Sequence, residues 1–315
     1  MNNLKKVGLT ALAASLATVS SHAVEMSASG SATISYTGNS NVGSSGSGNP
    51  FTMADTVNFS ASGEMDNGFI VTMTMGMDSS KTAAGSVFED RAIAIDMGDM
   101  GTLSFVAQDG SSVTGAMDDK MPSAYEETWF QADGPGNGSG ANNMWTYSNS
   151  SMEGVKLEAS FTPSGGGQVD SSTDVGITYT GIDGLTIGVA AGTDSGGSAD
   201  MDNSTKYITY AYDAFTFGVQ SNSADSATAN ADEEYMAYAV SYAVSDDLSI
   251  SYGYSELDYE GVSTVTDETQ EAAAVSVSYS AGGMSIAATR SDVDNEGGNK
   301  EHDGAGYAVE LGFAF

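Results

Sequence analysis

The sequence predicts an all-β protein, a transmembrane antiparallel β-barrel of about sixteen strands. Three observations carry that prediction. Short segments alternate large apolar with small or polar residues along the whole chain, and the connections between them alternate between tight turns and long polar loops. No stretch approaches the ~18 consecutive apolar residues of a spanning helix.

The first residues place Lys5 and Lys6 before an alanine-rich apolar run that ends at Ser21-His22-Ala23. This reads as a secretory signal peptide over residues 1–23, cut after Ala23, with 24–315 as the barrel domain. The run is shorter than the ~20 residues a membrane anchor needs, and several of its residues are polar. Removing Lys5 and Lys6 takes the formal charge from −33 to −35, because no acid precedes the cut. Such a surface repels nucleic acid. No cysteine is present, which excludes disulfides and thiol chemistry.

The alternation that defines the strands recurs from end to end. In 69–77 the odd positions are Phe, Val and three Met, with Thr72, Thr74 and Gly76 between them. Val175, Ile177 and Tyr179 alternate with Gly176 and Thr178; Tyr238, Val240 and Tyr242 with Ala239 and Ser241; Leu248, Ile250, Tyr252 and Tyr254 with Ser249, Ser251 and Gly253; Val275, Val277 and Tyr279 with Ser276 and Ser278. The closing stretch GYAVELGFAF puts Tyr307, Val309, Leu311, Phe313 and Phe315 on one face and Gly306, Ala308, Glu310, Gly312 and Ala314 on the other. Disordered chains have no reason to alternate in this way, despite the low hydrophobicity and high charge.

The connections fall into two classes that take turns. Asp66-Asn67-Gly68, Gly98-Asp99-Met100-Gly101, Met152-Glu153-Gly154, Gly181-Ile182-Asp183-Gly184, Asp213-Ala214, Ser245-Asp246-Asp247 and Ala281-Gly282-Gly283 are tight and mostly supply the Gly, Asn or Asp that hairpins need. The others, such as 38–50, 108–140, 193–203, 221–232, 259–268 and 291–303, are long and rich in Ser, Gly, Asn and Asp. Short turns therefore belong at one end and long loops at the other, with both termini at the short-turn end. Segments of roughly ten residues suit tilted strands crossing an apolar band about 25 Å tall. Closure is required there, since an unpaired backbone group in lipid costs several kcal/mol. At about sixteen strands the interior is too wide for side chains to fill.

In these features the chain resembles the trimeric general porins of Gram-negative outer membranes, most closely the alphaproteobacterial type. Gly98-Asp99-Met100-Gly101-Thr102-Leu103 is similar to that family's G-x-F-G-T-L turn, with Met100 where Phe is usual. The longest connection, 108–140, looks like the third loop that folds into the lumen and narrows it, and Phe315 matches the terminal aromatic residue read by the outer-membrane assembly machinery. The resemblance implies an outer-membrane homotrimer in contact with lipid, with a water-filled channel for passive diffusion of small hydrophilic solutes and ions. It implies no enzyme activity and no cofactor. One departure stands out: where the family continues with Gly-Arg before an acid, this chain has Ala107-Gln108-Asp109, so the usual wall arginine is missing.

The residues that would set the channel's character follow. Asp109, Asp118, Asp119, Glu126 and Glu127 on the long connection are expected at the constriction, where acids attract cations; their bland reading is a set of solvated surface charges. Lys156 has opposite parity to Val155 and Leu157 and should point inward beside Glu158 as pore wall. Arg290 shares parity with Met284 and Ile286, and Arg91 with Ile93 and Ile95. Both are expected outside near a rim, where an arginine costs about 0 to 1 kcal/mol rather than about 2 to 4 at the lipid midplane. Asp118 and Asp119 are candidate ligands for structural calcium, although no EF-hand spacing occurs. His302, the only histidine after residue 23, lies between Glu301 and Asp303 and reads as an exposed loop residue. Trp145 reads as an interface-belt aromatic, and Trp129 as either belt or loop. From a different class, the alternating strands also fit a secreted β-rich adhesin or surface-layer protein that hides its apolar stripes in a sandwich core.

Overall fold

The computed structural model describes residues 25–39, 49–78, 88–130, 132–136, 140–165, 170–195, 200–228, 231–260 and 268–315. The expected signal peptide, Lys81 and parts of the long loops lie outside these residues. Sixteen strands close into one barrel: β1 (Glu25–Asn39), β2 (Phe51–Glu64), β3 (Ile70–Asp78), β4 (Phe88–Asp96), β5 (Thr102–Val106), β6 (Met144–Met152), β7 (Val155–Thr162), β8 (Ser172–Ile182), β9 (Leu185–Asp194), β10 (Met201–Tyr212), β11 (Phe215–Ser226), β12 (Glu233–Ala243), β13 (Leu248–Tyr259), β14 (Gln270–Ala281), β15 (Met284–Asp294) and β16 (Gly304–Ala314).

Each strand pairs antiparallel with its neighbours in the chain, as hairpins joined by short turns must. The ring is shut by β1 against β16, in register from Ser31 opposite Ala314 to Asn39 opposite Gly306. Past the end of that ladder, Gly30 N–H donates to the Phe315 carbonyl at 2.7 Å and Phe315 N–H returns the bond at 3.0 Å. Thus the last residue completes the closure, with its ring directed outward and 77 % exposed.

The period-two pattern sorts residues between the two faces. Tyr252 (50 % exposed), Val275 (57 %) and Phe217 (50 %) belong to an outer surface of large apolar side chains, while their neighbours Ser251, Ser276 and Gly218 point in. Aromatic side chains gather at both ends of this surface, as in the girdles of membrane barrels. Tyr36 meets Phe51 and Tyr307 at the long-loop end, where Phe105 also meets Trp145 at 5.0 Å. At the other end Phe215 contacts Phe217 and Tyr242. No helix of the described residues is long and apolar enough to cross a membrane; the strands do so.

The turn that begins Gly98-Asp99-Met100-Gly101 is rigid. Gly101 has φ 84°, and a Cβ there would run into the Ser148 carbonyl, so this corner admits only glycine without displacement. Tyr147 O–H donates to the Met100 carbonyl at 2.8 Å and pins the turn to β6. Two strands are adjacent in the barrel although far apart in sequence: β5 pairs with β6, from Thr102 opposite Ser148 to Val106 opposite Met144. The chain between them therefore leaves and returns at one point of the rim, and everything in between is free to go inside.

Candidate functional site: an acidic loop seated on the inner wall

The connection after β5 is closed at its root by a two-residue ladder, Gly110–Ser111 against Gly140–Ala141. It then enters a single helical turn, α1 (Val113–Met117), capped by Ser112, whose hydroxyl accepts from Gly115 N–H at 3.3 Å. Five residues are too few to hold a helix alone, so the wall must hold it. Val113 N–H donates to Ser160 Oγ on β7 at 3.0 Å, and Thr114 Oγ1 donates to Asp174 Oδ1 on β8 at 2.5 Å. Further along, Gln220 on β11 donates to the Met117 carbonyl at 2.9 Å and accepts from Lys120 N–H at 2.8 Å.

The loop continues around the inside. Ala124 N–H donates to Ser251 on β13 at 2.8 Å, Ser276 on β14 donates to the Glu126 carbonyl at 3.3 Å, and Tyr125 O–H donates to Glu310 Oε2 on β16 at 3.2 Å. Three glycines of the wall make room for it. A Cβ on Gly176 would meet Val113 at 2.6 Å, one on Gly218 would collide with Pro122, and one on Gly253 would meet Thr128 at 2.6 Å. Glycine inside a strand often marks a close approach of another backbone, and here these residues form a trough for the loop. Its hydrogen bonds to the wall run from β7 round to β16.

The expected constriction residues separate into two groups. Asp109 sits at the root of the loop, exposed, with φ 55° and its N–H donating to Asn142 Oδ1 at 3.1 Å. Asp118, Asp119, Glu126 and Glu127 lie on the part inside the barrel and are partly buried; Asp119, Glu126 and Glu127 line one small cavity against Tyr235 and Ser251. Burial pushes the Asp118 carboxyl up to about 7, against the pull of Lys120. Asp119 also rises to about 7, first through burial, then through the charge and hydrogen bond of Glu127 and the charge of Asp118. Burial and the neighbouring Glu127 raise Glu126 as well. As for calcium, no group of three or more His, Cys, Asp or Glu side chains converges to hold a metal ion among the described residues.

Exposed carboxylates titrate near 4, so Asp118 and Asp119 are expected to take up protons as pH falls from 8 to 6. Infrared difference spectra of the wild type against Asp118→Asn and Asp119→Asn would check this; carboxylate bands unchanged down to pH 5 would contradict it. The stability sign follows, because both groups titrate higher in the folded chain than when exposed. Their contribution favours the docked loop at acid pH and is lost as pH rises through about 7.

Lys156 points inward from β7 as its parity predicts, and its ammonium is held by Glu158 at 2.6 Å. Among the described residues, the inward positions of β1–β5, such as Ser29, Thr33, Ser60 and Thr72, include no Lys or Arg. Arg91 keeps the outward parity of Ile93 and Ile95 and donates to Gln108 Oε1 at 3.3 Å, at the foot of the loop. Arg290 is likewise outward, near the long-loop rim, and pairs with Asp292 at 2.8 Å. Trp129 belongs to the loop, beside Gly134 and against the cluster of Tyr235, Ala237 and Leu257.

Sequence reasoning missed Tyr125 and Glu310 as site residues. Parity alone puts Glu310 inside, as the one acid among the small residues of its face; its loop partner is 185 residues away and leaves no local signal.

The sequence profile of the family described as Gram-negative porin matches residues 8–268. No curated protein matches the chain. Among solved structures, the anion-selective porin from Comamonas acidovorans is similar with a TM-score of 0.68 and 11 % identity, over 93 % of this chain and 100 % of that one. OmpT of Vibrio cholerae in its trimer form has a TM-score of 0.68 and 12 % identity over 93 % and 100 %. A triple mutant of the Rhodopseudomonas blastica porin has 0.67 and 15 % over 93 % and 100 %. At such identities the likeness is one of fold.

Proposed function

The chain belongs to the Gram-negative porin family, channels of the outer membrane, and on that premise we propose that it forms a water-filled pore for passive diffusion of small hydrophilic solutes and ions, with a preference for cations. One observation carries the preference: a loop bearing Asp118, Asp119, Glu126 and Glu127 shares the lumen with the inward positions of β1–β5, which include hydroxyls and acids and, among the described residues, no Lys or Arg. The same fold serves an anion-selective porin in Comamonas acidovorans, so the barrel does not set the sign. Fixed charge at the narrow part does. Lys156, an inward cation of the wall, is offset by Glu158.

Purified protein in a planar bilayer under a tenfold salt gradient is expected to give a reversal potential of cation-preferring sign. Clear anion preference would end this reading. The proposed route is downhill and needs no cofactor. A homotrimer is part of the proposal, supported by the trimer form of the similar Vibrio cholerae protein. So is contact of the outer apolar face with outer-membrane lipid, and recognition of the exposed Phe315 by the assembly machinery. An adhesin with a sandwich core is not favoured, since the closed barrel leaves its large apolar side chains on the outside.

A further inference from the structure

We propose that Glu310 is a second determinant of ion selectivity, a carboxylate on the barrel wall that acts together with the loop acids, and that Tyr125 positions it. This rests on the reading of the channel as cation-preferring. Glu310 points inward from β16 among Gly306, Ala308, Gly312 and Ala314, none of which can shield or neutralise it. It stands at the seam where the ring closes, opposite Ser35 of β1. Both of its hydrogen bonds converge on Oε2, from Ser35 Oγ at 3.1 Å and from Tyr125 O–H at 3.2 Å.

Glu310 thus joins the loop, through Tyr125, to β1, through Ser35. On the side of the short turns it borders an open recess of about 410 Å³, where Ser31, Thr33, Ser285 and Gly312 supply hydroxyls and space. A hydrated cation that has passed the loop meets this recess with two carboxylates on its lining, Glu310 on the wall and Asp247 in the turn at its mouth. The cations of the neighbouring strands do not compensate Glu310, because Arg290 of β15 lies on the outer face, bound to Asp292. Tyr125 remains a donor at physiological pH. Burial and the carboxylates of Glu310 and Glu126 push its phenol well above the ordinary range.

The test is the permeability ratio of cation to anion in a salt gradient at low ionic strength, where a lumen charge is least screened. Glu310→Gln is expected to lower the ratio about threefold, and Glu310→Lys to lower it further, since one charge acts on cations and anions in opposite senses. Tyr125→Phe keeps the ring but frees the carboxylate; it is expected to shift the ratio in the same direction, while conductance in about 1 M salt, where screening is nearly complete, stays unchanged. A merely structural role would alter that conductance too. Should Glu310→Gln fail to assemble, Glu310→Ala adds one more small residue to a face of Gly and Ala and serves instead. A cation-preferring wild type with unmoved Glu310 variants overturns this proposal alone. An anion-preferring wild type overturns the parent reading.

Discussion

Replacing Asp118, Asp119, Glu126 and Glu127 together by Asn and Gln is expected to reduce the cation-to-anion permeability ratio at pH 8 by about an order of magnitude in dilute salt. In water, a unit charge about 8 Å from a passing ion contributes on the order of 0.5 kcal/mol, with opposite sign for cation and anion, and screening weakens it beyond about 10 Å at 0.1 M. Four such charges on one loop, opposed by Lys120 alone on their own segment, exceed what any single site of the wall supplies. The effect is expected to shrink at pH 6, where Asp118 and Asp119 already carry protons in the wild type. The loop itself should hold its place, because at Asp118, Asp119 and Glu126 amides replace carboxylates that burial disfavours, and several of the bonds that seat the loop run to its backbone. Reversal potentials of the quadruple variant at both pH values give the answer. An unchanged ratio would mean that the acids of the outer rim, not the loop, select ions.

Filling the trough is expected to change the size of the opening instead of its sign. Gly218→Leu inserts four carbons where Pro122 and Met121 already lie, and Gly176→Leu does the same beneath Val113 and Met117. Overpacking of this kind costs roughly 1 to 3 kcal/mol unless a neighbour moves. The strands cannot move, because their ladders continue on both sides, so the loop must. Lifted towards the axis, it should lower single-channel conductance by about half for the double variant while leaving selectivity cation-preferring. Thermal stability of the barrel should stay near wild type. A rise in conductance would mean that the loop leaves the lumen altogether. No change would mean that it does not bound the narrowest section.

Much of this architecture was legible before any coordinate. The parity of Tyr238, Val240 and Tyr242, or of Lys156 against Val155 and Leu157, already assigns each side chain to lipid or lumen, since side chains alternate strictly along a strand. The turn residues Gly98 and Gly101 mark a hairpin for the same local reason. The acids of 108–140 were visible as a group, yet Asp109 lies at the root while Asp118, Asp119, Glu126 and Glu127 lie inside, a division that composition cannot make. Nor could composition say why Gly176, Gly218 and Gly253 interrupt otherwise regular strands.

From the order of residues alone follow the strand number, the hand-over of short and long connections, the oily exterior and the acid surplus. All of these depend on contacts between chain neighbours or on simple sums. The course of the loop, its bond through Tyr125 to Glu310, the shifted protons of Asp118 and Asp119, and the wall without Lys or Arg among its described residues emerged with the folded chain. The reason is physical: each arises from groups brought together when the ring closes, and closure joins segments whose separation in sequence carries no periodic trace.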